Sequence, residues 1–258
     1  MNKRISFSTA GLYPRDTLES IKLLKNMGYY EVEIMPQCKY EITKEFAKKV
    51  SNEGIHVSSY HFPLVLFSTF YNQYFGMVEE SKEMCKELAQ SGNMLGTEFI
   101  VIHPPYNGKY EDKVLRETVI NNIRYLAEVC ADQGIKVALE NNPDSKAKSP
   151  EGLLKEIKTI NHANVYPMVD TTESYEAGVD PVEFINKVDP KHMHLSDYKG
   201  ESKHILPGFG EFDWEDIVES LKKFNYNGCY VIEPSYRYMT DDVCDKLANL
   251  KTFFDNLI

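Results

Sequence analysis

Short runs rich in β-branched and aromatic residues alternate along this chain with stretches in which apolar residues recur every three or four positions. The first kind reads as strands and the second as amphipathic helices. The pattern predicts strands at Ile5 to Ser8, Tyr30 to Met35, Ile55 to Phe62 and Glu98 to His103. In the second half it predicts Ile135 to Asn141, Val165 to Asp170, Lys191 to Ser196 and Cys229 to Glu233. A helical stretch follows each strand, for example Leu18, Ile21 and Leu24, then Phe46, Ala47 and Val50, then Met84, Leu88 and Leu95. Start signals support these helices. Asp16 with Glu19 has the spacing of a capping box. Ser149-Pro150 and Asp180-Pro181 each set an N-cap before a proline at the first helical position. Asp213-Trp214-Glu215-Asp216 opens a further helix, and Gly54, Gly96, Gly134 and Gly228 stop the runs that precede them.

Eight strand–helix units fall within 258 residues, about 32 residues each, which is the spacing of βαβ repeats. Such repeats build a parallel sheet, either open and doubly wound or closed into a barrel. The count and chain length match a (β/α)8 TIM barrel. An open dinucleotide-binding sheet would carry GxGxxG after its first strand; here Gly208-Phe209-Gly210 comes late and incomplete. The expectation is therefore an α/β fold, a single TIM-barrel domain over residues 1–258, with no linker or low-complexity tract dividing it.

Composition narrows the partners. Asp and Glu number 39 against 29 Lys and Arg, a formal charge of −10. A basic face for neutralising phosphates is not expected, so nucleic acid is disfavoured. The start Met1-Asn2-Lys3-Arg4 is basic, but Ile5 to Ala10 is too short and polar for a signal-peptide core. No apolar run approaches the roughly 18 residues of a membrane span. The five cysteines are scattered without a CxxC pair, so they read as reduced thiols of a cytoplasmic protein and not as a disulfide framework, a zinc ribbon or a nucleophile.

In a TIM barrel the chemistry collects where strands end, because the loops leaving those ends build the pocket. Polar residues gather there in this chain: Glu33, His61, His103, Glu140-Asn141-Asn142, Asp170, His194, Asp197 and Glu233. Glu140, Asp170 and Glu233 each interrupt an otherwise apolar run. A carboxylate at the end of a buried strand must be paired, hydrogen-bonded or bound to metal. Three of them with a histidine at one mouth require a cation, and few Arg or Lys residues lie nearby in sequence to supply it. One divalent metal held by Glu140, Asp170, His194 and Glu233 follows, and oxygen-rich ligation with one imidazole suits Mn²⁺, Mg²⁺, Co²⁺ or Zn²⁺. His192 shares the parity of His194 but lies deeper, where a hydrogen-bonded core histidine is expected; His56 and His162 fall away from the mouth.

These residues carry a family resemblance. Val137-Ala138-Leu139-Glu140-Asn141, Asp170-Thr171, His194-Leu195-Ser196-Asp197, Pro207-Gly208-Phe209-Gly210-Glu211-Phe212-Asp213 and Val231-Ile232-Glu233-Pro234 follow one another in an order that resembles the xylose isomerase-like TIM-barrel superfamily. That group includes sugar isomerases and 3-epimerases, inosose and dehydroshikimate dehydratases, and apurinic endonucleases. The resemblance implies that Glu140, Asp170, His194 and Glu233 bind one metal and that Glu140 and Glu233 also move protons. It places His61 and His103 in the pocket lining of the sugar enzymes, or on further zinc ions in the endonucleases. Two positions depart from the pattern. Glu173 stands where the family often has histidine, and Ser202-Lys203-His204 keeps a histidine but lacks the carboxylate of the endonuclease's Asp-x-His pair. A three-zinc cluster is thus short of ligands, and an endonuclease is disfavoured.

The resemblance implies a metal-dependent isomerase or epimerase of a small sugar or hydroxy-carbonyl substrate, preferably unphosphorylated, working through an enediolate. His61, His103, Glu173, Lys203 and His204 are the candidate polar contacts to substrate, and Tyr106 and Trp214 the candidate apolar walls. A dehydratase of an inosose or 3-keto acid shares the first proton abstraction and is the alternative. A non-catalytic sugar-binding barrel is disfavoured by the intact glutamate pair. A homo-oligomer is common in the family.

Overall fold

In the computed structural model, which describes residues 4–108 and 112–258, every one of the eight expected strands forms. They are β1 (Ile5–Ser8), β2 (Glu31–Ile34), β3 (His56–His61), β4 (Phe99–Ile102), β5 (Lys136–Leu139), β6 (Val165–Asp170), β7 (His192–Leu195) and β10 (Tyr230–Ile232). They close into a barrel in the order β1-β10-β7-β6-β5-β4-β3-β2, and all eight pairings are parallel. The chain is a TIM barrel, and closure excludes the open-sheet alternative. Met1-Asn2-Lys3, whose basic character entered the reading of the chain start, lies outside the described residues.

Between β7 and β10 the chain adds an antiparallel hairpin, β8 (Asp197–Lys199) and β9 (Ser202–Ile205), that the apolar pattern does not predict. The principal outer helices are α1 (Thr17–Asn26), α2 (Lys44–Glu53), α4 (Phe75–Leu95), α5 (Lys113–Asp132), α6 (Pro150–Ile160), α8 (Pro181–Val188), α9 (Trp214–Lys223) and α10 (Val243–Leu257). Two short ones, α3 (Phe67–Phe70) and α7 (Thr171–Glu176), sit in the loops after β3 and β6. The caps act as their residue types dictate. Asp16 accepts from the backbone N–H groups of Leu18 and Glu19, Asp180 from Val182 and Glu183, and Ser149 from Gly152.

Strand parity sorts the side chains into two compartments. Phe7, Val32, Val57, Ile100, Val137, Val169, Met193 and Ile232 face outward and join one core with Ile21, Val50, Leu88, Ile123, Leu153 and Phe184 of the helices. The opposite parity fills the barrel. On one side Phe99, Val101, Ala138 and Met168 form a separate apolar cluster with Tyr166 against it. On the other side the interior is polar: Ser6, Ser8, Glu33, Ser58, Ser59, His192 and His194 are all buried. A register shift between Val32 and Glu33 in the β2–β3 pairing lets both serines of β3 serve this side. Ser58 Oγ lies 3.1 Å from Ser6 Oγ, and the Ser59 hydroxyl donates to Glu33 at 2.7 Å. A barrel half lined with polar groups can support a charged site at its open end.

Candidate active site

The strands carry four ligand-type residues to one point. Asp170 is the last residue of β6 and His194 the third of β7, while Glu140 and Glu233 continue the ladders of β5 and β10 through their own backbone N–H groups. One donor atom from each lies within 4.8 Å of the others. His194 Nδ1 sits 3.1 Å from Glu140 Oε1 and 2.7 Å from Glu233 Oε2. Neither approach has hydrogen-bond geometry, and this buried nitrogen has no hydrogen-bond partner among the described residues, nor do Glu140 Oε2 and Asp170 Oδ2. Buried polar atoms are ordinarily satisfied. Several orphaned donor atoms converging on one point is the arrangement of a ligand set. Three oxygen ligands and one imidazole fit a single divalent cation.

The local electrostatics carry the same signature. Burial pushes the Asp170 carboxyl up to about 8, with Glu140 and Glu173 adding to the effect against the pull of His204. Burial opposes the charged form of His194, but Glu233, Glu33 and Glu140 outweigh it and drive the imidazole well above its ordinary value. Without a cation the cluster must therefore hold extra protons to balance its charge. A divalent ion would replace them.

Neighbouring side chains fix this geometry. Asn141 accepts from the Asp170 backbone N–H at 2.7 Å and donates to the Asp170 carbonyl at 3.2 Å, tying the ends of β5 and β6 together. Asp170 Oδ1 also caps α7 by accepting from the Glu173 N–H at 2.8 Å. The Ser8 hydroxyl donates to Glu233 at 3.0 Å. Glu33 Oε2 lies 3.0 Å from His194 Nε2 and 3.4 Å from His192 Nε2. Sequence reasoning noted Glu33 at its strand end but gave it no role; the signal was a charged residue between Val32 and Ile34, facing inward. His192 is a buried core histidine, as its depth implied.

Beside these four residues lie several of the expected substrate contacts. His103 Nε2 is 2.8 Å and His61 Nε2 is 3.6 Å from Glu140 Oε2. His61 Nδ1 faces the Phe62 carbonyl at 2.8 Å, so its Nε2 is the nitrogen turned to the site. His103 Nδ1 contacts the Tyr106 hydroxyl. Phe67 and Tyr71, which the sequence pattern did not single out, complete this wall: Phe67 meets His103 edge-on at 5.4 Å, and Tyr71 packs at 5.5 Å from Tyr106. Their signal was the aromatic density of the loop after β3. Glu173 accepts from Asn142 Nδ2 at 3.2 Å and lies 3.7 Å from His204 Nε2. Burial opposes charge on His204, but Glu173 and Asp170 push its imidazole up to about 9.

Two expected contacts are placed otherwise. Trp214 is buried in the first turn of α9, with its ring edge-on to Phe253 and Phe254 and its indole N–H donating to Asp197 at 2.8 Å. The structure gives it a packing position against α10, with its indole turned to Asp197. Lys203 is half-exposed on β9 and ion-paired with Glu176.

A family model described as a xylose isomerase-like TIM barrel matches residues 21–252. The chain belongs to that family. Among curated relatives, an inosose dehydratase of Clostridium botulinum is 26% identical over 151 residues, 50% of this chain and 51% of that protein. The chain spans about half the length of the curated relatives it matches first. Among solved structures, a D-allulose 3-epimerase from Methylomonas sp. in complex with D-allulose superposes with a TM-score of 0.80 at 15% identity, covering 99% of this chain and 98% of the other. The IOLI protein with a bound zinc atom superposes with a TM-score of 0.75 at 17% identity, covering 99% of each chain. At these identities the structural likenesses establish the fold.

Proposed function

We propose that this barrel is a divalent-metal-dependent isomerase or epimerase acting on a small, sugar-like hydroxy-carbonyl substrate. The observation that carries the reading is the convergence of Glu140, Asp170, His194 and Glu233 on one point with buried, unpartnered donor atoms. A bound cation would polarise the substrate's carbonyl and adjacent hydroxyl and stabilise the negative charge of an enediolate. The protein's own groups do the rest. Glu140 and Glu233 flank His194 from two sides of the cluster. One carboxylate removes the proton from the carbon next to the carbonyl, and its electron pair becomes the enediolate double bond. The other returns a proton to the opposite face of that carbon, giving an epimer, or to the neighbouring carbon, giving an isomer. His61, His103 and His204 present ring nitrogens to substrate hydroxyls, and Phe67, Tyr71 and Tyr106 cover one side from water.

Dehydration is the second reading, favoured by one feature of the mouth. His204 Nε2 lies 3.7 Å from Glu173, which favours the protonated imidazole and places it to donate a proton to a departing β-hydroxyl, and the relatives by sequence include inosose dehydratases.

The test is a panel of ketoses, inososes and 3-keto acids offered with Mn²⁺ and followed by NMR in D₂O. Solvent deuterium at a carbon of an isomeric product supports the isomerase or epimerase, and loss of water from an inosose or keto acid supports the dehydratase. Glu140→Gln and Glu233→Gln should each lower kcat by about 10²- to 10⁴-fold. Full activity in either variant refutes the proton-transfer roles.

A further inference from the structure

Glu33 is a carboxylate of the barrel interior with no solvent exposure. Its ion-pair partners are both imidazoles, His194 and His192. All three of its close contacts fall on Oε2: the Ser59 hydroxyl at 2.7 Å, His194 Nε2 at 3.0 Å and His192 Nε2 at 3.4 Å. Oε1 is buried and has no hydrogen-bond partner among the described residues. As a stabilising device this is poor, since replacing buried ionic groups by neutral ones of similar volume is often neutral or favourable to stability. The arrangement has a clear use toward the neighbouring cluster. An imidazole that donates Nε2–H to a carboxylate keeps its lone pair on Nδ1. In His194, Nδ1 is the atom facing Glu140 and Glu233 without a hydrogen bond.

We infer that Glu33 is a positioning residue for the metal centre: it fixes the tautomer and ring orientation of His194, so that Nδ1 is presented to the cation as a ligand. The inference rests on the metal-dependent reading of the site and deepens it. Carboxylate–histidine–metal relays raise the basicity of the ligand, and their loss costs about 10- to 100-fold in metal affinity. Ser59 holds the carboxylate from β3, and His192 takes the remaining contact with its ring 5.2 Å from that of Phe99. The polar half of the barrel interior is then the support of the site at its mouth.

Direct titration of the full-length protein with Mn²⁺ tests the role. Glu33→Gln should raise the Mn²⁺ Kd about 10- to 100-fold, without lowering the melting temperature of the metal-free protein. Ser59→Ala, which removes a donor from Oε2 but leaves the carboxylate, should raise Kd by a smaller factor, about 2- to 10-fold. In the zinc-loaded wild type, ¹⁵N-labelled histidine should show His194 bound through Nδ1 and protonated at Nε2. Unchanged Kd in both variants, or zinc on Nε2 of His194, overturns the inference while leaving the metal centre standing. A wild-type protein that binds no divalent ion overturns both readings. Should Glu33→Gln fail to fold, Ser59→Ala and the zinc-loaded wild type still decide the matter.

Discussion

Six donors converge on the two oxygens of Asp197: the backbone N–H groups of Tyr198, Gly208, Gly210, Glu211 and Phe212, and the indole of Trp214. Asp197 is as buried as Asp170, yet one carboxylate is saturated by the protein and the other keeps an orphan oxygen. Both stand at strand ends, so sequence alone groups them. Only the surrounding donors separate a structural carboxylate from one available to a cation. The same contacts give Trp214, a candidate apolar wall in the sequence, a packing position. Trp214→Phe keeps the ring in its aromatic cluster but removes a hydrogen bond to a charged acceptor, so stability should fall by about 1.5–3 kcal/mol. KM for whatever substrate the panel identifies should stay unchanged. Urea unfolding and steady-state kinetics check the two halves, and a raised KM at unchanged stability would restore the wall.

The elements most legible in the sequence are those that bury an apolar face. All eight barrel strands and their outer helices are of this kind; β1 and β6 have the predicted bounds, and the other six predicted strands overran the observed ones by a residue or two at their ends, as with Ile135 to Asn141 against β5. The hairpin of β8 and β9 and the short helix α7 escaped because tertiary contacts make them. Asp-Tyr-Lys and Ser-Lys-His-Ile have no apolar alternation, and α7 exists because Asp170 caps it. The Asp197 carboxylate ties the hairpin to the loop that follows it, and this also explains the Pro207-to-Asp213 motif. A methyl group at Gly210 would stand 2.2 Å from both Asp197 Oδ1 and the Tyr198 carbonyl oxygen. Gly210→Ala should therefore cost about 1–3 kcal/mol by overpacking. It should also loosen His204, which is carried on β9. A thermal melt indistinguishable from wild type would mean that this loop is not clamped.

Across the whole molecule, charge is divided between the two ends of the barrel, and the ends differ in how it is balanced. At the mouth, Glu140, Asp170 and Glu233 converge with His194 as a candidate cation site. At the opposite end, Arg4 grips Glu31 with two hydrogen bonds of 2.8 and 2.7 Å and also reaches Glu98, while His56 Nδ1 lies 3.3 Å from Glu31. Conservation of barrel function and barrel stability to separate ends is a general property of the fold, and here it yields a pH test that does not involve the metal ligands. Burial would raise the Glu31 carboxyl, but hydrogen bonds from His56 and then Arg4 outweigh it and hold it at about 2, against 4.5 for the free group. A depressed carboxyl contributes stability that is full above the unfolded value and lost as pH falls through the folded one. That is about 3 kcal/mol from Glu31, and it disappears between pH ~4.5 and ~2. His56 is raised chiefly by its bond to Glu31, against burial, so its contribution has the opposite sense: full below the unfolded value of 6.5 and lost as pH rises through the folded one. The gap in unfolding free energy between wild type and Glu31→Gln should accordingly be widest from pH ~4.5 to ~6.5, narrow modestly above that, and close below pH ~2. Urea titrations at a series of pH values in the presence of chelator measure the gap directly. A difference that does not change between pH ~2 and ~5 would show that the cluster is held by packing and not by its charges.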